Sequence, residues 1–445
     1  MINHPLFGAA IMATAIEKSS LVNRRLPSIF SMVTRLLLRL FRLLDQLFNT
    51  RGNTIYDVKD PYPYFEALRT ESPIIRSYLY AGWAVTSHKE ITHLMGRDEI
   101  SCDFRSSKTF SRMMKFAAGG ASVAILDNPS MLNLDAPDHT RLRKLMTYRF
   151  THKYVQSLEP RIAYQCQSLI DKIDLQAGQF DLIEAIAKPL PATVIADMLG
   201  VPENMYEQFH SWSETLLGGA MIEQPEMIRN AGHANDELIA YFETLTEEKR
   251  KKPDQDLISQ LIEIGEEGDR LSLKELHTNC ALLLVAGHET TTRLIGNGMW
   301  LLLQHPEQLA LLQRRRELIP NAIEEMLRYE PPVQAFSRIV LKSFEYKGYQ
   351  FKKGQVVILF FAAANRDPGL NENPQVFDIE RDNPKHIAFG YGVHLCLGMS
   401  LARLEAKVVF NQLLDNFPAA AMADNKPDWG DNPFFRGLNT LQLKV

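Results

Sequence analysis

The 445 residues carry 49 Lys and Arg against 53 Asp and Glu, and a formal net charge of −4 gives no support for binding nucleic acid through its phosphates. At 45% hydrophobic and 23% charged, the composition is that of a globular chain, and no linker, repeat or low-complexity tract divides it. Four cysteines without paired metal-ligand spacing (Cys102, Cys166, Cys280 and Cys396) argue against a disulfide scaffold and fit a reducing compartment.

Charge is uneven along the chain. Residues 1–51 hold seven basic and two acidic side chains, a local charge of +5. Within them, residues 29–48 read as an amphipathic helix, with Arg35, Arg39 and Arg42 on one face and Met32, Leu36, Leu40, Leu43 and Leu47 on the other. Three central arginines argue against a membrane span. Three readings stay open: contact with an anionic membrane surface, docking on the folded body, or a cleaved presequence.

The body is expected to start near Asp60, with a short helix at 63–70 entering at Pro63. Residues 74–85 read as a strand pair turning at Ala81-Gly82, and 86–95 return to helix. Residues 96–132 read as irregular, with Gly119-Gly120 and Asn128-Pro129 as breakers. The next helix carries His139 and Arg143 on one face, which by spacing alone could be two solvated basic groups. Helices at 158–173, 183–199, 203–217 and 234–251 follow, with a break from Gly218 to Pro225.

Ser272 and Glu275 form a capping box for a helix running to about Gln304, before His305-Pro306. Such a helix is on the order of 45 Å long and can cross a whole domain. Its segment from Ala281 to Ala286 is apolar all round and should be buried. Gly287, His288, Glu289, Thr290, Thr291 and Thr292 then interrupt it. A glycine and β-branched residues there cost roughly 0.5–1 kcal/mol each, so something other than packing is expected to favour them. His288-Glu289 does not open a zinc-protease motif, because position 292 is threonine. Threonine hydroxyls bonding back to i−4 carbonyls is the plainer account.

Glu325 and Arg328 stand at i, i+3 in a helix ending before Pro331-Pro332; as a surface pair they would contribute roughly 0–1 kcal/mol. Short strands are expected at 337–341, 344–346, 349–351 and 355–360, with turns at Lys347-Gly348 and Lys353-Gly354. The run Phe389-Gly390-Tyr391-Gly392-Val393-His394-Leu395-Cys396-Leu397-Gly398 then holds one cysteine among glycines, with an apolar helix after it. It fails as a dinucleotide fingerprint, since Leu395 stands at the third glycine, and no second cysteine lies near for zinc or an iron–sulfur cluster. A helix N-terminus favours a thiolate, and glycines leave room beside it for a flat ligand. A buried cysteine in a tight turn is the bland alternative.

These ten residues match without departure the heme-binding loop of the cytochrome P-450 superfamily, and the resemblance runs from about Asn133 to Phe417, nearest the soluble bacterial branch. It implies a mainly α fold with small β-sheets (α+β): a single domain over 52–445 behind the extension 1–51, with a long central helix over heme b. Cys396 would ligate the iron in a loop that includes Phe389, Gly390 and Gly398. Gly287 would leave space for a diatomic ligand, with Glu289 and Thr290 delivering protons and His288 a rim residue. His139, Arg143, Arg338 and His386 would hold the propionates. Glu325 and Arg328, joined by Arg381, would form a buried network rather than a surface pair. Val333, Ala335, Phe336 and Ala286 would line an apolar substrate pocket. The implied activity is a monooxygenase using O2 to hydroxylate or epoxidise a small apolar organic substrate. The chain has no flavin or iron–sulfur motif, so electrons would come from separate partners such as ferredoxin and its reductase, in the cytoplasm. Rivals are a peroxide-using or isomerising enzyme, against which the intact Glu289-Thr290 pair argues, and a non-catalytic heme sensor.

Overall fold

The computed structural model describes residues 57–77, 82–118, 122–218, 225–268, 271–423 and 426–444. The basic segment 1–51 with its expected helix, Ala81 of the expected turn, the Gly119-Gly120 pair and residues 219–224 of the expected break lie outside them.

The elements that bear on the site run in this order: α1 Tyr62–Glu71, β1 Ile74–Ser77, β2 Gly82–Val85, β3 Ile100–Ser101, α2 Lys108–Ala117, α3 Asp138–Met146, α4 Pro189–Leu199, α5 Tyr206–Gly218, α6 Pro225–Lys251, α7 Leu273–Gln304, α8 Ile319–Tyr329, β4 Phe336–Val340, β5 Val356–Leu359 and α9 Met399–Asn416. The fold is mainly helical with small sheets. Its largest sheet has the order β1-β2-β5-β4-β3. β2 and β5 pair in parallel, with Trp83 opposite Val357, and β4 closes antiparallel on β5, with Ser337 opposite Ile358. All four residues of β5 are buried, as a continuous apolar run predicts for a strand covered on both faces.

α7 is the axis. Ser272 Oγ accepts from the Glu275 N–H (3.3 Å) while the Glu275 carboxylate accepts from the Ser272 N–H (2.9 Å), closing the capping box read from the sequence. α4, α5, α6, α8 and α9 all pack on it, and Leu283, Leu284, Leu294, Ile295, Leu301 and Leu302 stand in the largest buried cluster. The hairpin joining Phe344–Tyr346 to Tyr349–Phe351 turns at Lys347 (φ 51°) and Gly348 (φ 80°), where the two left-handed residues suit a two-residue hairpin loop.

Three expectations change. Residues 108–117, read as irregular, form α2, because Phe110 and Met114 bury against Ala335 and Ile339 of the sheet. The helix expected over 183–199 splits into a π-helical turn, Ile183–Ala187, and α4; Pro189 and Pro191 offer no N–H to continue the ladder. α6 begins at Pro225 rather than 234. Gly232 in its first part lets residue 122 come close, since a Cβ there would sit 2.2 Å from the Ser122 carbonyl oxygen.

Candidate active site

The cysteine loop is held by its own backbone. Gly390 (φ 78°) and Gly392 (φ 71°) adopt left-handed conformations that side-chain-bearing residues rarely take. The Gly390 N–H donates to the Ile387 carbonyl (2.8 Å) and the Cys396 N–H to the Phe389 carbonyl (2.9 Å). Cys396 thereby lies three residues before α9, half-buried, at the end of the helix where free N–H groups point. Burial pushes its thiol above the ordinary range; the Gly398 N–H and the Arg143 and Arg403 guanidiniums pull the other way. Gly398 has an ordinary φ of −85°, and a Cβ there would meet nothing within 4 Å. The protein leaves open space beside the sulfur.

Basic side chains converge next to the loop. Arg143 Nη2 donates to the Leu395 carbonyl (2.6 Å), and the rings of His139 and His394 are 4.0 Å apart. Burial, then His139, Arg338 and Arg143, push His394 down to about 3; burial and Arg143 lower His139. Arg338 is only 6% exposed, yet it donates to the Ser337 carbonyl (2.9 Å), and among the described residues no carboxylate pairs with it or with Arg143. The nearby Asp135 is engaged by the Ser101 hydroxyl and the Cys102 N–H. Buried guanidiniums without counter-ions are costly, so this cluster is built for an anion supplied from outside the chain.

His386, expected in that cluster, is not brought to it. Its Nε2 lies 3.1 Å from Glu324 Oε2, and Arg403 clasps the same carboxylate at 2.6 and 2.7 Å. Burial would raise the Glu324 carboxyl, but the Arg403 and His386 hydrogen bonds prevail and hold it at about 2. His394 stands in the cluster instead. It lies inside the cysteine run, two residues before the sulfur, so its position was available in the sequence, but nothing there gave it an anion-binding task.

The middle of α7 has a gap in its burial. Ala286 is exposed and Val285, Gly287 and Thr290 are half-buried, whereas Leu283, Leu284, Thr291 and Thr292 around them are buried. The threonines do bond back along the helix: Thr290 Oγ1 donates to the Ala286 carbonyl (2.8 Å), Thr291 to Gly287 (3.1 Å) and Thr292 to His288 (3.0 Å). The half-buried Thr290 hydroxyl, having donated its proton, keeps acceptor capacity. Glu289 is buried, with Oε2 3.2 Å from Arg293 Nη2 and Oε1 4.0 Å from His288 Nδ1. Packing does explain Gly287, against expectation: a Cβ there would lie 3.3 Å from Ile195 Cγ1 of α4, so the glycine permits a close helix contact.

Of the expected pocket residues, Val333 and Phe336 are half-buried, and Phe336 stacks on Phe361 with ring centroids 6.1 Å apart. Ala335 is buried with Phe110, Met114 and Ile228, beneath the surface rather than on it. The Glu325–Arg328 pair is fully internal, and Arg381 joins it from a partly exposed position. Arg328 meets Glu325 through Nε–Oε2 (2.6 Å) and Nη2–Oε1 (2.7 Å), and Arg381 Nε reaches both oxygens at 3.2 and 3.1 Å. Arg328 also donates to the Pro374 and Val376 carbonyls, which ties the approach to the cysteine loop onto α8.

One thiol at a helix N-terminus, open space beside it, an anion cluster at its edge and a gap over α7 fit a flat, dianionic, thiolate-ligated group such as heme b. A model of the cytochrome P-450 family matches residues 85–444. The putative cytochrome P-450 YjiB of Bacillus subtilis (strain 168) is 35% identical over 398 residues, covering 88% of this chain and 96% of its own. Cytochrome P-450 monooxygenase PikC of Streptomyces venezuelae is 38% identical over 394 residues, covering 86% and 91%. The crystal structure of Mycobacterium smegmatis CYP164A2 in its ligand-free state superposes with a TM-score of 0.81 at 33% identity, covering 91% of this chain and 99% of that one.

Proposed function

The chain belongs to the cytochrome P-450 family, which makes it a heme b-binding, oxygen-incorporating oxidoreductase, and from that premise we propose that it hydroxylates or epoxidises a small apolar organic substrate with electrons from a separate donor. Thiolate-ligated heme, when bound, supplies the activation of O2 and the transfer of one of its atoms. Cys396 would ligate the iron through its thiolate, and His139, Arg143, Arg338 and His394 would hold the propionates. The observation that carries this assignment is the buried Arg338 guanidinium, which lacks a carboxylate partner among the described residues and stands beside His394 and Cys102.

Ala286, Val333 and Phe336 would present apolar surface to the substrate, which excludes water and positions a C–H or C=C bond by shape. Thr290, with its proton given to the Ala286 carbonyl, offers lone pairs to a protonated group in the gap. Glu289, next in the chain and charge-paired with Arg293, would deliver protons toward Thr290. The electron donor would be a ferredoxin with its reductase, since the chain carries no redox motif besides the cysteine loop. Tyr391 and Val393 stand exposed on that loop and give such a donor an apolar contact beside the sulfur. The four cysteines are free, which suits a cytoplasmic setting. Among the described residues no helix is long and apolar enough to cross a membrane.

The test is Thr290→Ala in the heme-loaded protein supplied with donor, reductase and an accepted substrate. The heme spectrum is expected to stay, while product falls by about 10²-fold or more, the scale of one positioned proton transfer, and reducing equivalents appear as hydrogen peroxide. Unchanged coupling of donor oxidation to product would remove Thr290 from proton delivery.

A further inference from the structure

One group of side chains beyond the cysteine and its anion cluster is arranged more deliberately than packing requires. His210 of α5 and His288 of α7 meet with ring centroids 4.9 Å apart and planes at 64°. The Nε2 atom of His288 is buried without a hydrogen-bond partner among the described residues, its Nδ1 meets Ser213 Oγ at 3.2 Å, and its side chain is only 1% exposed. A dry, unpartnered polar atom costs about 1–3 kcal/mol, so the one on His288 calls for a ligand. One nitrogen of each ring and one carboxylate oxygen of Glu289 lie within 4.8 Å of one another. Arg293 occupies Glu289 Oε2, while Oε1 stands 4.0 Å from His288 Nδ1. On the solvent side, Glu214 Oε1 is 3.7 Å from His210 Nε2.

We propose that His210, His288 and Glu289 form a site for a divalent transition cation of the zinc type, closed from solvent by Glu214. Two imidazoles and two carboxylates are a common donor set for such an ion, and the two carboxylates balance its charge. Ligand bonds of about 2.0–2.2 Å place neighbouring donor atoms roughly 3.3–3.6 Å apart in a tetrahedron, so the group closes by about 1 Å through side-chain rotation. The opposing charges are already engaged: Lys188 pairs with Glu184 and stands 3.5 Å from Glu214, and Arg293 holds the far oxygen of Glu289. The His210 side chain is 24% exposed and that of Glu214 51%, which gives a cation an entry. Calcium and magnesium, which take six or more oxygen donors, do not suit the two nitrogens. An occupied site would also tie up Glu289; that consequence rests on the proton-delivery role, whereas binding does not.

The experiment is calorimetric titration of zinc chloride into the heme-loaded full chain, with X-ray absorption at the zinc edge of the one-equivalent complex. One zinc per chain with two imidazole nitrogens in its shell is expected. His210→Ala should weaken it by at least about 100-fold, since even outer-shell losses cost 10–100-fold. His152→Ala, at an exposed histidine elsewhere, should leave binding unchanged. The absence of micromolar zinc uptake, a zinc shell without imidazole, or equal affinity in His210→Ala would overturn the site whether or not turnover responds.

Discussion

Arg338 shows what a single residue can disclose. A guanidinium in the interior that meets a backbone carbonyl, and among the described residues no carboxylate, makes no sense for stability alone. It follows that Arg338→Met should raise the melting temperature of the heme-free protein and weaken heme retention. The lost charge-assisted hydrogen bond corresponds to about 1.5–3 kcal/mol, readable as faster passage of heme to a scavenger protein; unchanged retention would detach Arg338 from the propionates. Glu405 on α9 is the opposite case, a carboxyl buried with one oxygen unpartnered among the described residues. Burial pushes it up to about 8, against a small lowering by Thr291. Between about pH 4.5, where the unfolded chain ionises, and pH 8, the folded chain holds the extra proton, so stability falls as pH rises through that window. Glu405→Gln should remove this slope in denaturation midpoints measured from pH 5 to 8, and a slope equal to wild type would show that Glu405 ionises in place. The sequence named Cys396, His139 and Arg143 through their motifs. It set His386 at the propionates because burial and the Glu324 pairing that capture that ring depend on tertiary contacts. His394 was visible only as a letter in the cysteine run.

At the scale of elements, α7 was the most legible part of the chain, because a capping box, an apolar stretch and a His-Pro stop are all local signals. What it packs against was not local. Its glycines mark close approaches: a Cβ on Gly298 would sit 2.6 Å from Met326 Sδ and 2.7 Å from Phe410 Cζ, joining α7 to α8 and α9. Gly298→Ala gains roughly 0.5–1 kcal/mol of helix propensity but overpacks at about 1–3 kcal/mol, so a net loss in the denaturant midpoint is expected. A gain would mean that Met326 and Phe410 yield freely. α2 escaped notice because its short amphipathic run stops just before the Gly119-Gly120 breaker, and only burial of Phe110 and Met114 against Ala335 and Ile339 makes it a helix worth burying. The split at Ile183–Ala187 was written in Pro189 and Pro191, which the periodic apolar pattern around them outweighed.

For the whole molecule, the helical body and the small sheet bring residues from three distant stretches (139–143, 338 and 394–396) together, and leave Ala286, Gly287 and Thr290 of α7 incompletely covered. The fold class was implied by the family resemblance, with helical periodicity and short strands in agreement, and the site's existence by one ten-residue run. The gap itself was not, because it is a property of what the packed elements do not touch. The most direct measurement is the absorption of the reduced, heme-loaded protein under carbon monoxide, for wild type and Cys396→Ser. The thiolate-type, red-shifted carbonyl band is expected in the wild type and its loss in the variant. An imidazole-type band in the wild type, or the red-shifted band persisting without Cys396, would contradict the account.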